Sequence, residues 1–424
     1  MPDRKTPPHI VDAVDLNLHL KPYEKYTLRN GADVYAINAG AEDVLQVELV
    51  YYAGNCYEER NLIAASANFL LKNGTKQKTA FQINEHFEYY GAYLNRNCYN
   101  ETATVSIHTL SKHLPQLLPV LKEILTESEF PEAELETYKQ NMKQRLNVNL
   151  KKSDFVAGRL IDTYLYGEEH PYGRYSRFED FDALTRDELL AFYDRWYRNG
   201  KFLVFVSGKL PADIFQQIDA TLGDLPCSAL TLPAHPVVPA GEKKYRVVND
   251  PNGVQGAIRM GTPFPNRHHP DFLKVQVLNN VFGGFFGSRL MTNIREDKGY
   301  TYGIYSYLEN HMQQSAWVIS TDAGRDVCEA AVVEIYKEMD ELRNEPVEAD
   351  ELLLVRNYMM GSILGDLDGP FHIINRWKNI ILNGVPETYF EDQMHTIRTI
   401  TAEELQALAN KYLVADKFYE LVVV

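Results

Sequence analysis

Residues 185–202 read TRDELLAFYDRWYRNGKF, and residues 401–418 read TAEELQALANKYLVADKF. Thr185, Glu188, Leu189, Ala191, Lys201 and Phe202 recur as Thr401, Glu404, Leu405, Ala407, Lys417 and Phe418, always at an offset of 216. Asp187/Glu403, Arg195/Lys411 and Trp196/Tyr412 are conservative matches at the same offset. Each copy describes one unit. A threonine with acids in the following turn is an N-cap that opens a helix. A short turn comes next, and then an apolar strand, Phe202 to Val206 in one copy and Phe418 to Val424 in the other. A repeat decides architecture before any single element does.

A second echo supports the first. Pro131, Leu135 and Lys139 resemble Pro346, Leu352 and Arg356, each set near the start of a long helical stretch. The chain of 424 residues is therefore expected to hold two homologous halves, residues 1–224 and 243–424. The stretch between them, 225–242, carries Pro226, Pro233, Pro236 and Pro239 and has linker composition.

Within the first half, Asn30-Gly31 signals a turn between strands, and Val44 to Tyr52 alternates as a strand. Helices are expected over 60–72 and 79–90, a strand pair over 92–97 and 101–109, and helices over 113–128, 131–150 and 154–166. Strands and helices do not interleave regularly. That order argues for an α+β fold, an antiparallel-rich sheet with helices packed on one face.

Composition excludes several classes. A formal charge of −15 lacks the basic face that nucleic acid requires. It is compatible with a cavity for basic or neutral peptides, but most of it reads as solvated surface. No apolar run reaches membrane-spanning length, and the opening Met-Pro-Asp-Arg-Lys leads into no apolar signal region. Pro2, Pro7 and Pro8 sit among charges, so any disorder is expected within the first twenty or so residues. Cys56, Cys98, Cys227 and Cys328 fit neither a zinc knuckle nor a disulfide framework, and read as thiols of a reducing compartment. A cytoplasmic protein is expected.

Four groups of residues, in this order, carry a family resemblance. They are Leu70-Leu71-Lys72-Asn73-Gly74-Thr75 with Thr79 to Asn84 and Tyr90 to Asn95; Leu110 to Pro115; His170-Pro171-Tyr172-Gly173; and Gly287-Ser288-Arg289-Leu290 with Asn293 to Glu296, Gly299 and Tyr302. Together they span nearly the whole chain, which resembles the pitrilysin/insulinase-like zinc metallopeptidases, a family that includes mitochondrial processing peptidase. The resemblance implies two α/β-sandwich halves in a clam-shell around a peptide-sized chamber.

Active members of that family carry His-x-x-Glu-His on a helix just before Gly-Thr. Two histidines four apart share one helical face and can hold Zn²⁺, and the glutamate serves as general base on metal-bound water. Counted back from Gly74-Thr75, the motif falls on Ala65-Ser66-Ala67-Asn68-Phe69. Both histidines are missing, and Asn68 is an amide that accepts no proton at neutral pH. The third ligand in active relatives is a glutamate some seventy residues on, yet Tyr138 to Ser153 holds no Asp or Glu. No catalytic residue and no metal ligand is expected in this chain.

Other sites were weighed. The twelve histidines form no metal-binding spacing. His268-His269 reads as a surface loop beside Pro270, and Glu85-His86 as a solvated helix face. No Gly-x-Ser-x-Gly elbow is present. Phe282-Gly283-Gly284-Phe285-Phe286-Gly287 lacks the Gly-Lys-Ser/Thr ending of a phosphate loop. In the family that run is associated with peptide entry, and its plain alternative is a tight interhelical turn. Strand 101–109 resembles the edge strand on which the family pairs extended substrates.

The resemblance also implies a substrate-binding pair, an Arg and a Tyr that stabilise charge on the scissile carbonyl. Arg295 and Tyr302 match by spacing, with Tyr300 as the alternative tyrosine. Their plain roles would be helix-end charge complementation and packing. The expected function is a non-catalytic subunit paired with an active His-x-x-Glu-His homologue, as a heterodimer, with zinc in the partner and peptides as substrates. The rival is a scaffold or peptide-binding protein with no proteolytic partner, pairing with itself if at all.

Overall fold

The computed structural model describes residues 11–424. Pro2, Pro7 and Pro8 lie outside them. The first half runs β1 (Glu24–Thr27), β2 (Asp33–Asn38), β3 (Val44–Tyr51), α1 (Ile63–Leu70), α2 (Ala80–Tyr89), β4 (Tyr93–Cys98), β5 (Ala103–Leu110), α3 (Leu114–Glu127), α4 (Glu132–Asn149), α5 (Ser153–Tyr166), α6 (Phe178–Ala183), α7 (Arg186–Tyr193), β6 (Phe202–Gly208) and α8 (Ile214–Leu222). The second runs β7 (Lys244–Val247), β8 (Gln255–Phe264), α9 (Phe272–Asn279), β9 (Thr301–Asn310), β10 (Ser315–Gly324), α10 (Cys328–Asn344), α11 (Ala349–Gly365), α12 (Pro370–Asn383), α13 (Tyr389–Thr399), α14 (Ala402–Tyr412) and β11 (Tyr419–Val423).

The repeat holds in the elements it was read from. Thr185 and Thr401 each accept a hydrogen bond from the backbone three residues on, and Glu188 and Glu404 each accept one from the threonine N–H. Each capping box satisfies amides that a helix start leaves unpaired. The strands that follow, β6 and β11, are buried along their whole length.

Both strands also occupy the same slot. The first sheet is ordered β1-β2-β6-β3-β5-β4 and the second β7-β11-β8-β10-β9. Apart from the extra edge strand β1, the two orders match position for position. In the first sheet β2 and β6 are parallel, whereas β3 pairs antiparallel with both β6 and β5. The fold is thus α+β, two repeated antiparallel-rich sheets with packed helices.

By packing, the chain divides into two units. One is Lys21–Gly253 with Gly369–Asn379 and Leu421–Val424; the other is Val254–Asp368 with Ile380–Glu420 and the segment up to Leu20. Burial drives each. Helix α3 buries Leu114, Leu117, Leu118, Leu121, Ile124 and Leu125, the helical repeat of one apolar face. In the second unit Trp317 is fully buried with Phe264 and Phe282 around it, and donates its indole N–H to Ser306 Oγ at 2.6 Å.

Two local readings change. Strand β5 is not an edge: it lies between β3 and β4, because the turn after Cys98 folds β4 back outside it. The edge of that sheet is β4. The proline-rich stretch has no regular element, yet it is held in place. Val238 N–H donates to Tyr166 O at 3.0 Å and Ala240 N–H to Tyr164 O at 2.9 Å, so it lies along α5. Gly167 permits that approach, since a Cβ there would stand 2.7 Å from Val238 O.

Candidate functional site

Helix α1 carries the five residues at the motif position. Asn68 is buried and gives its amide hydrogens to Thr104 O at 3.2 Å and Tyr197 Oη at 3.0 Å. It points into the core, toward β5 and the π-helical turn Asp194–Arg198. Full burial pushes the Tyr197 phenol far above its ordinary range, so it stays protonated. Ser66 Oγ donates to Tyr138 Oη on α4 at 3.2 Å. Ala65 offers only a methyl group.

Phe69 lies on the other side of α1 and remains partly exposed. The Tyr138 ring packs on it with centroids 4.9 Å apart. From edge strand β4, Arg96 reaches back and sets its guanidinium carbon 5.3 Å from the Phe69 centroid. One guanidinium nitrogen donates to the Phe69 carbonyl. Burial lowers the Arg96 pKa to about 10. Sequence reading missed Arg96; a long cation within a strand of small and polar residues was the only signal available.

Arg295 and Tyr302 come together in the second unit. Arg295 lies in the last turn of the π-helical segment Met291–Asp297, and Gly299 reverses the chain at φ +67°, a conformation that favours glycine. The guanidinium carbon of Arg295 stands 5.4 Å from the Tyr302 ring centroid and 4.3 Å from that of Phe286. Tyr302 is 91% exposed.

A bulge aims this tyrosine. Thr321 pairs with Ile304 but Ala323 pairs with Thr301, so Tyr302 and Gly303 together stand opposite Asp322. The alternation along β9 therefore flips. Ile304 and Ser306 are buried, yet Tyr302 faces solvent, as do Tyr305 and Tyr307. Thr321 Oγ1 pins the bulge by donating to Thr301 Oγ1 at 2.8 Å or Gly303 O at 2.9 Å. Tyr300, the alternative tyrosine, lies before the strand, beside Lys337 of α10.

The glycine-rich run is a close-packing turn. A Cβ on Gly283 would meet Ser306 Cβ at 2.7 Å and Leu290 Cδ1 at 2.8 Å. Phe282 is buried, Phe285 stacks on Tyr358 at 4.4 Å, and Phe286 is exposed against Arg295. Sequence reading did not single out Phe286, although it lies within the quoted run.

The remaining histidines have local roles. His269 Nδ1 accepts from Asp271 N–H at 3.1 Å, in a turn. His86 contacts Gln116 O at 3.0 Å. His170 is buried beside Tyr166, Tyr172 and His235, and burial, with His235 and Arg174 nearby, lowers its pKa to about 4. Its Nδ1 accepts from Tyr172 N–H at 3.1 Å, so neutral imidazole is the form the fold uses. None of the four cysteines forms a disulfide. Among the described residues no three His, Cys, Asp or Glu side chains gather as a metal site, and no helix is long and apolar enough to cross a membrane.

Two repeated sheet-and-helix halves, with an altered peptidase helix in the first and an exposed Arg–Tyr pair in the second, define a protein of the two-domain peptidase class. Residues 34–170 match the family described as Insulinase (Peptidase family M16), and residues 183–359 match the Peptidase M16 inactive domain. The chain belongs to peptidase family M16, as a member without His-x-x-Glu-His. It is similar to the uncharacterized zinc protease YmxG of Bacillus subtilis, 22% identical over 93% of this chain and 96% of that one. It is also similar to the non-peptidase homolog YmxG of Helicobacter pylori, 23% identical over 85% and 84%. A solved peptidase M16 inactive domain from Pseudomonas fluorescens shares the fold, with a TM-score of 0.83 and 23% identity over 95% and 98% of the two chains.

The family's zinc does not fit the residues present. Ala65 and Phe69 bring no ligand atom, Tyr138 spends its hydroxyl on Ser66, and Arg96 sets a cation against the ring at the second ligand position.

Proposed function

We propose that this chain is the non-catalytic subunit of a two-chain M16 peptidase. Its partner carries His-x-x-Glu-His, the zinc and the base, and this chain contributes Arg295 and Tyr302 to hold an extended peptide. The observation that carries the reading is the convergence of those two side chains. The Arg295 guanidinium lies over the Tyr302 ring, with the phenol exposed to solvent. A guanidinium and a phenol held together can donate to a carbonyl oxygen as negative charge develops on it. The reading assigns the pair to a reducing, cytoplasmic compartment, since a chain this long with four cysteines and no Cys-x-x-Cys pair suits one.

Co-expression with an M16 homologue that carries the motif, from the same genome, tests this. The two chains should co-purify and cleave unfolded peptides, and neither Arg295→Ala nor Tyr302→Phe should weaken assembly. Loss of one such donor should lower turnover about 10²-fold. Wild-type turnover in both variants would remove the role given to the pair. Failure of any active homologue to associate would favour the scaffold reading.

A further inference from the structure

The residues around α1 do more than omit a metal. Arg96 is a half-buried arginine with no carboxylate partner among the described residues, and its Nε lies on the buried side, an arrangement with a cost unless the position itself has a use. It touches the Phe69 carbonyl and the Phe69 ring, and its charge is felt at the Tyr197 phenol and at Lys72. Nε is buried without a hydrogen-bond partner. Groups from three elements meet at Phe69: Tyr138 from α4, Arg96 from β4, and the ring itself from α1.

We infer that the Arg96 guanidinium occupies the place a metal ion would take on α1, so that Arg96 and a divalent cation exclude one another there. Phe69 is four residues from Ala65, the spacing that puts two histidines on one face. A cation bound on that face would have to sit where Tyr138 and Arg96 close over Phe69. Two positive charges confined a few ångströms apart beside this ring repel one another, so a restored ligand set is not enough while the guanidinium remains. A guanidinium keeps the positive charge and offers hydrogen-bond donors, but it cannot bind a water molecule and lower its pKa. The site would thus retain an attraction for carbonyl or carboxylate oxygen and lose hydrolysis.

The test rebuilds the ligands with and without the obstacle. Ala65→His, Phe69→His and Tyr138→Glu are combined in one variant, and Arg96→Ala is added in a second. Asn68 is left alone because it faces the core. Zinc is counted by elemental analysis after dialysis, and folding is checked by near-ultraviolet circular dichroism. The four-substitution variant should hold about one equivalent, and the three-substitution variant at least tenfold less. Equal zinc in both would overturn the inference, because Arg96 would be no obstacle. No zinc in either would also overturn it, because clearing Arg96 would not have opened a metal's place. If the triple variant does not fold, Ala65→His with Phe69→His alone, with and without Arg96→Ala, is titrated with Co²⁺ and read by its visible absorption. The same two results would sink the idea.

Discussion

Asn68 shows how one residue can close a chemistry. Its amide donates to the Thr104 carbonyl and to a phenol that stays protonated. A carboxylate there would face a carbonyl oxygen and be buried as a charge. Asn68→Glu, which restores the family's base by identity, should therefore destabilise the fold by about 3 kcal/mol, measured by urea unfolding, and give no hydrolysis. A variant as stable as wild type would mean that the side chain can turn outward. His170 makes a pH-dependent case. Its folded pKa, about 4, lies below the ordinary value of a histidine, so the unfolded chain takes up the proton first. The stability it contributes is whole above about pH 6.5 and is lost as pH falls through 4. His170→Asn keeps an acceptor for the Tyr172 N–H and does not titrate in this range. Unfolding midpoints between pH 7 and 4 should fall less steeply in this variant than in wild type; parallel slopes would assign the loss to other groups.

At the scale of elements, the two capping boxes are the repeat's clearest mark. Thr185→Ala and Thr401→Ala should each cost about 1 kcal/mol, and the double variant about 2, because the helix starts share no partner. A much smaller cost at one site would mean that tertiary packing alone sets that helix start. These boxes were legible because a cap, a helix and a strand are local and leave a pattern in consecutive residues. The boundaries of α2, α3, α4 and α5 could be read for the same reason. Strand order was less so. The reading of 101–109 as an edge failed because pairing is decided by residues far apart, and β4 folds outside β5. The aim of Tyr302 was hidden for a different reason. A bulge adds a residue against the partner strand, and nothing in Thr301-Tyr302-Gly303 separates that from regular alternation. Arg96 illustrates the same limit, since its reach to Phe69 exists only once β4 and α1 are in place.

For the molecule as a whole, α1 belongs to one packing unit and the Arg295–Tyr302 pair to the other. The chain purified after growth with added zinc should hold less than about a tenth of an equivalent. Close to one equivalent would mean that the α1 residues had been wrongly matched to the motif. With a charge of −15, association with a partner should also depend on salt wherever the partner's face is basic.

The position of β11 has a consequence for how the protein is made. It lies between β7 and β8, not at a margin, as β6 lies between β2 and β3. During synthesis the first sheet receives its inner strand β6 before any of the second sheet exists. The second sheet waits for Tyr419–Val423, and until they emerge β7 and β8 face each other across a vacant lane. A chain interrupted before Tyr419 would leave the first sheet with all its strands and the second with two sticky flanks, the form that chaperones and proteases should meet first.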